Sequence, residues 1–497
     1  MTRPGVFVTE TTLSTPVDSQ PVAAAAGALV ASLPSGPTTP TRISSWYQFS
    51  TLFGGLDTNF VATFGTNLFF RAGGGELFVQ RVINDDATAA EGALSATDAA
   101  AWITFTAKGA GAYGNNLRVQ VALNAAGLYD VTVLRDAGVA DSIASGLVTA
   151  GSSDDLVLET FSNVKLATWN DQEIINILSV RSQHIDATWN PAASAKTITA
   201  STSVVIPLAT GSDGSGTLDY DAALTALGEV SRTLVLFSPG ETSTTTLSAL
   251  DAFAAANGGF LVADTDAGTT PAAAVTFAGT LTASAYTAVY YPHLWVPDPT
   301  SASRDAIRLV PPSGAVAGAV LATDSSKGVF KAPAGLDTAI GGVVALERTL
   351  SASQLDALND AVSPVNAIRT IAGVGPAIMG ARTLKATDAT KYVNIRRSLS
   401  YLTKEMDNRL EFALFRNNDL LLWNQMKTAL DSFLTSYWTA GGLRGGTKAQ
   451  AYYIKIDSEN NSPTDIANGI VNAEIGVSLQ FPAEFIKVKL TQQTATA

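Results

Sequence analysis

The chain has 497 residues, no cysteine and a formal net charge of −12. Its length predicts about three domains with sizeable cores, and the lack of thiols excludes disulfides and thiolate metal sites. The N-terminus lacks the order of a signal peptide, and the longest weakly polar run, Val22 to Leu33, is too short to span a bilayer, so we expect no membrane insertion.

The charge is unevenly distributed along the chain. Residues 365–497 contain 15 Lys/Arg and 11 Asp/Glu, a net charge of +4, which leaves 16 and 32, or −16, for residues 1–364. Two explanations are open, namely ordinary variation of surface charge, or a basic C-terminal domain that faces an acidic partner. No segment combines a Lys/Arg cluster with interleaved aromatic residues, which disfavours nucleic acid as that partner.

The first 20 residues are predicted to form an extended arm with the apolar run Val6, Phe7 and Val8. Residues 22–33 and 76–82 have the composition of strands, and residues 46–53 and 60–71 between them have helical spacing. This order of strand, helices and strand predicts a parallel α/β layer in residues 21–95.

Short alternating runs separated by turn residues dominate residues 96–205, with one helical patch near 171–181, which is typical of a β-rich domain. The α/β rhythm returns in residues 206–385. Predicted there are helices at 219–230 and 246–256, and strands at 233–237, 259–264 and 286–296. We therefore predict a β-sandwich-like domain inserted into an α/β domain that is split into residues 21–95 and 206–385.

Residues 386–480 predict a C-terminal α+β domain. Two apolar stripes at helical spacing are followed by a strand-like run at residues 452–456. The first stripe consists of Ile395, Leu399, Leu402, Met406, Leu410 and Ala413. The second consists of Trp423, Met426, Leu430, Phe433, Leu434 and Tyr437, with Asn417 or Asn418 as the predicted N-cap and Gly441 as the C-cap.

The last segment, residues 481–497, contains an alternating strand. Ile486, Val488 and Leu490 point to one side of it, and Phe485, Lys487 and Lys489 to the other. A terminal strand with one apolar face needs a sheet edge, and that edge can belong to another subunit.

Tests for catalytic motifs are negative. A Ser-His-Asp triad needs a histidine, and the chain has only His184, in the β-rich region, and His293, in an aromatic strand where a packed histidine is more common than a base. Residues 109–114 match G-x-G-x-x-G, but a strand rather than a helix follows them. Residues 441–448 place Thr before Lys, unlike a phosphate-binding loop. We expect no enzyme activity, no cofactor and no metal.

A series of segments carries a resemblance to a known family. In the C-terminal part they are YVNIRRSLSYLTKEM, FRNNDLLLWNQMKTALDSFL, GGLRGG, IANGI and FPAEFIKVKL. Upstream they are PGVFVTE, RISSWYQFSTLFGG, AGGGELFVQRV, GAYGNNLRV, VPPSGAVAGAVLATDSSKGVFKAPAG and GARTL. In this order they resemble contractile tail sheath proteins of long-tailed phages and related injection machines, over nearly the whole chain.

The resemblance implies a structural subunit that polymerises helically around an inner tail tube in a metastable extended state and contracts to drive the tube through a cell envelope. The split α/β domain would be subtilisin-like. Its partners would be other copies of the chain, the tube protein, and baseplate and terminator proteins, in a virion tail assembled in the host bacterial cytoplasm. A sheath of a non-phage injection system or tailocin is the alternative. A hydrolase-like enzyme and an adhesion module are less favoured.

Two sets of residues are predicted to mediate assembly. The arm residues would add strands to neighbouring C-terminal domains, namely Val6, Phe7, Val8, Ile486, Val488 and Leu490. Basic residues on the C-terminal helices are candidates to face an acidic tube, namely Lys391, Arg396, Arg397, Lys404, Arg409 and Lys427. Which of these basic residues face the tube is left open.

Overall fold

A computed structural model describes residues 25–95, 101–126, 128–135, 156–164, 172–189, 204–387 and 389–484. These residues form two compact units. The C-terminal unit comprises Tyr401–Leu479, and the main unit comprises Ala26–Ser400 together with the described residues from Gln480 to Glu484. The predicted arm residues, from Val6 to Val8 and from Ile486 to Leu490, lie outside the described residues.

The main unit contains both strands and helices. Its strands are β1 (Ala26–Ser32), β2 (Thr41–Ile43), β3 (Leu77–Val82), β4 (Glu91–Ser95), β5 (Ala101–Ala107), β6 (Leu117–Leu123), β7 (Tyr129–Arg135), β8 (Leu156–Val164), β9 (Ile185–Trp189), β10 (Val204–Pro207), β11 (Leu234–Phe237), β12 (Phe260–Ala263), β13 (Thr287–Tyr291), β14 (Leu294–Pro297), β15 (Ile307–Val310), β16 (Ala345–Leu346), β17 (Val365–Ile371) and β18 (Gly375–Ile378). Its helices are α1 (Trp46–Phe53), α2 (Val61–Arg71), α3 (Gln172–Arg181), α4 (Tyr220–Leu227), α5 (Thr244–Ala256), α6 (Pro271–Thr280), α7 (Ser313–Lys327) and α8 (Ala352–Asn359).

An eight-stranded sheet organises the main unit, in the order β18-β17-β13-β12-β11-β1-β3-β2. The six strands from β17 to β3 are parallel, and β18 and β2 pair antiparallel at the edges. Parallel neighbours require crossover connections, which place helices on the faces of the sheet. Helices α4, α5, α6 and α8 share one apolar cluster with alternate residues of β1, such as Ala26, Ala28 and Val30. Burial under the helices therefore explains why the sequences of these strands are almost entirely apolar.

Helices α2 and α7 pack closely against each other. A Cβ atom added at Gly314 would lie 2.1 Å from the carbonyl oxygen of Gly65, and one at Gly318 would lie 2.2 Å from that of Phe69. The ring of Phe69 in turn stacks on that of Phe237 in β11, with centroids 5.3 Å apart. Only glycine allows the two helix backbones to approach this closely.

Two antiparallel sheets lie between β3 and β11 in the chain, in the orders β4-β5-β9 and β10-β6-β7-β8. They share one apolar core, which includes Phe105, Val119 and Ile185. The chain segments that lead into and out of this region pair with each other, at Asn84 with Leu218 and at Glu91 with Ala209. The described part of the polypeptide between the two halves of the eight-stranded sheet therefore has a core of its own and enters and leaves through paired segments.

The predicted single strand 286–296 is wrong. It is divided into β13, in the eight-stranded sheet, and β14, in a three-stranded sheet ordered β15-β14-β16. Pro292 lies between the two strands and has no N–H group to donate to a ladder. The residues on both sides of this proline are aromatic or apolar, so the sequence predicted one continuous strand.

The C-terminal unit is built on two long helices and a small antiparallel sheet. Helix α9 (Val393–Leu410) begins in the main unit and ends in the C-terminal unit. The remaining elements are α10 (Leu420–Thr439), α11 (Lys448–Ala451), β19 (Tyr452–Lys455), α12 (Pro463–Ala467) and β20 (Glu474–Val477). All six residues of the predicted second stripe are buried in α10, so that prediction is confirmed.

The predicted N-cap of α10 is wrong by one or two residues. Asp419 is the N-cap, and its Oδ1 accepts a hydrogen bond of 2.8 Å from the amide of Leu422. Asn418 instead accepts from Nε1 of Trp423 and donates to the carbonyl of Ile470. Adjacent Asn and Asp residues have similar capping preferences, so tertiary contacts decide between them.

Candidate assembly surfaces

The core of the C-terminal unit lies between α10 and the small sheet. Trp423, Met426 and Leu430 of α10 pack with Ile456, and Ile475 of β20 lies against this cluster. Strands β19 and β20 pair from Tyr452 with Val477 to Lys455 with Glu474. Leu410 at the end of α9 and Ala413 in the connection between α9 and α10 also pack against this cluster.

That connection exposes an unusual amount of apolar surface. The large apolar side chains exposed in this connection and in the first turn of α10, which we call the apolar loop, are Phe412, Leu414, Phe415, Leu420 and Leu421. Leu414, Leu420 and Leu421 are each 66–70% exposed, and Phe415 is fully exposed. Contiguous exposed apolar residues commonly mark a surface that another macromolecule covers.

Phe415 also adopts a conformation that non-glycine residues avoid. Its φ angle is +59°, in the left-handed region. A bulky residue held there costs of order 1–3 kcal/mol, and such positions concentrate at functional sites. Sequence reasoning missed this loop, although a signal was present because Leu414, Phe415, Leu420 and Leu421 fit neither predicted helical stripe.

An open groove of about 530 Å³ runs along α10 and β19. Lys427, Asp431, Lys448 and Tyr452 supply its polar side chains. Nζ of Lys448 lies 2.6 Å from Oδ2 of Asp431, and the hydroxyl of Tyr452 donates to Oδ1 at 2.9 Å. The lining of the groove therefore includes a neutralised ion pair and the side chain of Lys427.

Three of the predicted basic residues belong to the main unit. The Lys391 ammonium lies 5.0 Å from the ring centroid of Tyr392, and the Arg396 guanidinium lies 4.7 Å from that of Tyr286. Arg397 is 5% exposed and forms a two-point ion pair with Asp324, whose Oδ1 accepts from Nη1 at 2.8 Å. The charge of Arg397 is therefore neutralised in the interior and is not available to a partner in this structure.

The other three predicted basic residues belong to the C-terminal unit. Lys404 and Lys427 are partly exposed. Nε of Arg409 lies 3.2 Å from Oε2 of Glu405, and its guanidinium lies over the ring of Phe433 at 4.6 Å. The charge of Arg409 is therefore partly neutralised by Glu405.

A buried carboxyl group lies beyond the C-terminal end of β12 in the main unit. Asp264 accepts hydrogen bonds from the amide of Ser313 at 2.8 Å, from its hydroxyl at 2.6 Å, and from the amide of Gly240 at 3.3 Å. Burial raises the pKa of Asp264 to about 7, and these hydrogen bonds only partly oppose the rise. The hydroxyl of Ser313 is thus bonded to a carboxyl group and not to a histidine.

Asp264 should make stability depend on pH. Because its pKa is raised in the folded state, the folded chain binds this proton more tightly than the unfolded chain, so the free energy of unfolding should fall as pH rises from the ordinary aspartate range to about 7. Chemical denaturation at pH 5 and at pH 8 measures this effect. Between pH 5 and pH 8 the free energy of unfolding of Asp264→Asn should rise by about 2 kcal/mol relative to that of the unsubstituted chain. A difference between the two chains that is equal at both pH values would contradict this assignment.

The two histidines are both buried, and burial lowers the pKa of each. Nδ1 of His293 is 3.9 Å from Oε2 of Glu347, too far for a hydrogen bond. Gly109 and Gly111 precede a short 3-10 helix, Ala112–Asn116, which contains Gly114, and β6 follows it, as expected for a loop that leads into a strand. Within the described residues, no three His, Asp or Glu side chains meet in an arrangement that could bind a metal ion. Among the described helices, none has the length and apolarity needed to cross a bilayer.

The comparison with protein families concerns the C-terminal part of the chain. Residues 385–493 match the family model of the phage tail sheath C-terminal domain. We call these residues the sheath domain. The sheath domain contains the apolar loop, the groove and all six predicted basic residues, of which Arg397 is buried and the other five are partly exposed. The resemblance to contractile tail sheath proteins is thereby confirmed.

One relative is similar in sequence to part of this chain. The tail sheath protein of Vibrio phage KVP40 is 27% identical over 196 residues, which are 39% of this chain. The aligned segment spans 28% of the length of that phage protein.

Solved structures resemble the whole chain, sheath domain included. The anti-feeding prophage helical sheath in its contracted state has a TM-score of 0.59 and 21% identity, covering 99% of this chain and all of that one. The sheath of an extracellular contractile injection system, PVC, in its contracted state has a TM-score of 0.56 and 19% identity, covering 99% and 98%. These similarities establish a mixed α/β multidomain sheath fold.

Proposed function

We propose that this chain is the structural subunit of a contractile sheath, which polymerises helically around an inner tube and shortens to drive the tube through a cell envelope. The match of residues 385–493 to the sheath domain carries the proposal. The apolar loop supports it independently, because a surface with five exposed large apolar residues is suited to burial in an assembly.

The device is either a phage tail or a related injection system. The similarity to a Vibrio phage sheath protein favours a tail, and the similarity to the anti-feeding prophage and PVC sheaths favours a non-phage machine. In either case the partners are other copies of the chain, a tube protein, and baseplate and terminator proteins. Assembly takes place in the cytoplasm of the bacterial cell that makes the subunit.

A direct test is to express the chain together with its tube protein and to image the product by cryo-electron microscopy. Cylinders that shorten and widen after acid or denaturant treatment are expected. Particles of one fixed size, before and after treatment, would contradict the proposal.

The regions of the main unit take different roles in this proposal. The eight-stranded sheet and its helices form a subtilisin-like domain that serves as a scaffold without peptidase activity, since fold and activity are separable. The two smaller antiparallel sheets form an inserted β-sandwich-like domain on the outside of the cylinder. The pairing of the segments that flank it supports this role, because an insertion joined at one edge leaves the host core intact.

Deletion of the inserted region should leave a subunit that folds and assembles. Glu91 and Ala209 pair directly, so a two-residue Asn-Gly turn can replace residues 92–208. Arg81 would lose its hydrogen bond to the carbonyl of Ala110 and the ring of Tyr113, at a cost of about 1–3 kcal/mol. Thermal unfolding and electron microscopy check the result, and complete loss of soluble protein would count against the peripheral placement.

The sheath domain is proposed to face the tube with basic side chains. The proposed set consists of the partly exposed residues Lys404 and Lys427, together with Lys391, Arg396 and Arg409. Arg397 is left out because Asp324 neutralises its charge. Exposed ion pairs contribute about 0–1 kcal/mol each, so they would guide docking and still permit release when the sheath contracts.

Charge reversal tests this surface. The double substitution Lys404→Glu and Lys427→Glu should reduce assembly on tubes several-fold at low salt, and less at high salt because screening weakens the repulsion. Lys327→Glu is a matched control, because Lys327 is also a half-exposed lysine but belongs to the main unit. Tube-dependent assembly that responds to neither charge reversal nor salt would contradict a basic tube-facing surface.

The terminal arms are proposed to exchange between subunits. The residues involved would be those of the two apolar runs, Val6 to Val8 and Ile486 to Leu490, each adding a strand to the sheet edge of a neighbouring C-terminal unit. Such exchange would keep the subunits linked while their packing changes during contraction.

A further inference from the structure

Residues 480–484 follow the last strand of the C-terminal unit but are bound to the main unit. Nδ2 of Asn394 donates hydrogen bonds to the carbonyl of Gln480 at 3.2 Å and to that of Phe330 at 2.8 Å. The ring of Phe481 packs edge-on against that of Tyr392, with centroids 6.3 Å apart. The chain is therefore fixed on the main unit at the point where it returns.

Glu484 completes this attachment. Its Oε2 accepts hydrogen bonds from Nη2 of Arg382 at 2.7 Å and from the hydroxyl of Tyr392 at 2.9 Å. Nη1 of Arg382 also donates to the carbonyl of Asn359 at 2.8 Å. Partial burial would raise the pKa of Glu484, but the hydrogen bonds from Arg382 and Tyr392 outweigh it and lower this pKa, which keeps the carboxylate charged.

Arg382 is itself held by the eight-stranded sheet. The buried side chain of Asn366 in β17 accepts from the amide of Arg382 at 2.7 Å and donates to its carbonyl at 2.8 Å and to that of Val289 at 3.1 Å. A Cβ atom at Gly380 would lie only 2.8 Å from Oδ1 of Asn366, so glycine is needed there. A series of polar contacts thus joins Glu484 to strands β17 and β13 of the eight-stranded sheet.

We propose that the Glu484 anchor, formed by Glu484 with Arg382 and Tyr392, is the point at which force on the C-terminal arm enters the main unit. This inference rests on the proposed exchange of arms. A pull on residues beyond 484 by a neighbouring copy passes through Arg382 into the eight-stranded sheet and bypasses the C-terminal unit that precedes the arm in sequence. Arg382 and Tyr392 are thus positioning residues for the link between subunits.

The anchor also sets the length of that link. If Glu484 is released while Asn394 still holds Gln480, residues 481–484 become free, and four residues add up to about 14 Å of slack. A tight link transmits the movement of one subunit to the next, whereas slack of this size delays or interrupts transmission along the cylinder. The anchor matters most for contraction and least for the folding of a lone subunit.

Full-length chains carrying Glu484→Ala, Arg382→Met, or the charge exchange Arg382→Glu with Glu484→Arg test this inference. Each is expressed with the tube protein, contracted by denaturant, and scored for broken cylinders by electron microscopy. Asp337→Asn, which removes an exposed ion pair with Lys327 in the same unit, is the matched control. Both single substitutions should raise the frequency of breaks several-fold with little change in the melting temperature of the subunit. The charge exchange should restore part of the wild-type behaviour, because it re-forms the ion pair but not the hydrogen bond from Arg382 to the carbonyl of Asn359.

The outcomes separate the anchor from the arms. Unbroken contraction of Glu484→Ala, or a charge exchange that restores nothing, would overturn the anchor. If Glu484→Ala forms no cylinders, their recovery in the charge-exchanged chain supports the anchor, and failure to recover overturns it. A chain ending after Glu484 that assembles and contracts normally would overturn arm exchange and the anchor with it. Failure of that shortened chain, together with wild-type behaviour of Glu484→Ala, would overturn the anchor alone.

Discussion

A chain that ends after Glu484 is expected to fold as a soluble subunit and to form no cylinders. Hydrogen bonds from an added strand contribute about 0.5–1.5 kcal/mol each, which roughly offsets the 1–2 kcal/mol per residue needed to order its backbone. Side-chain burial therefore decides, and Ile486, Val488 and Leu490 would contribute about 1.5–3 kcal/mol apiece. Electron microscopy for cylinders and circular dichroism for folding measure the two parts of this expectation.

A single substitution can replace the truncation. Val488→Asp puts a charge on the predicted apolar side of the strand and should abolish cylinders, whereas Lys487→Asp makes the neighbouring residue acidic on the opposite side and should be tolerated. Normal sheaths from Val488→Asp, or equal defects from both substitutions, would show that the alternation of this strand does not direct its docking.

Phe415→Asn should separate assembly from folding. Asparagine tolerates the left-handed conformation of residue 415, so the subunit should become more stable by about 1 kcal/mol. The same substitution removes the most exposed aromatic side chain of the apolar loop. If that ring is an interface anchor, its loss costs about 2 kcal/mol or more per contact, roughly a 30-fold weaker association. Thermal melts and the protein concentration at which cylinders first form measure the two effects.

Val362→Asn is the matched control for the apolar loop. Val362 is 84% exposed, but it belongs to the main unit and has no comparable group of apolar neighbours in its sequence. The critical concentration of this control should stay close to that of the unsubstituted chain. Assembly of Phe415→Asn at the same concentration as the control would show that the loop is not an assembly contact.

Helical and strand periodicity predicted most elements of the fold, because each pattern is local. The stripe of α10, from Trp423 to Tyr437, follows directly from the helical repeat and is buried as expected. The division of residues 286–296 was missed because a strand's sheet is chosen by distant partners, here β17 for β13 and β15 for β14. The position of Pro292 was the one local sign of that break.

The candidate site was less accessible to sequence reasoning, because exposure and pairing depend on residues far apart in the chain. Arg397 is neutralised by Asp324, 73 positions away, so its place on the helical repeat did not reveal its burial. Arg382 and Glu484 are 102 positions apart. The apolar loop could have been noticed as a dense apolar run without period, but its exposure could not have been deduced from the repeat.

The most direct measurement of the central claim is negative-stain electron microscopy of the purified full-length chain at increasing concentration. A sheath subunit should appear as small particles at low concentration and as long, striated cylinders above a critical concentration. Uniform small particles at every concentration, with or without the tube protein, would contradict the account.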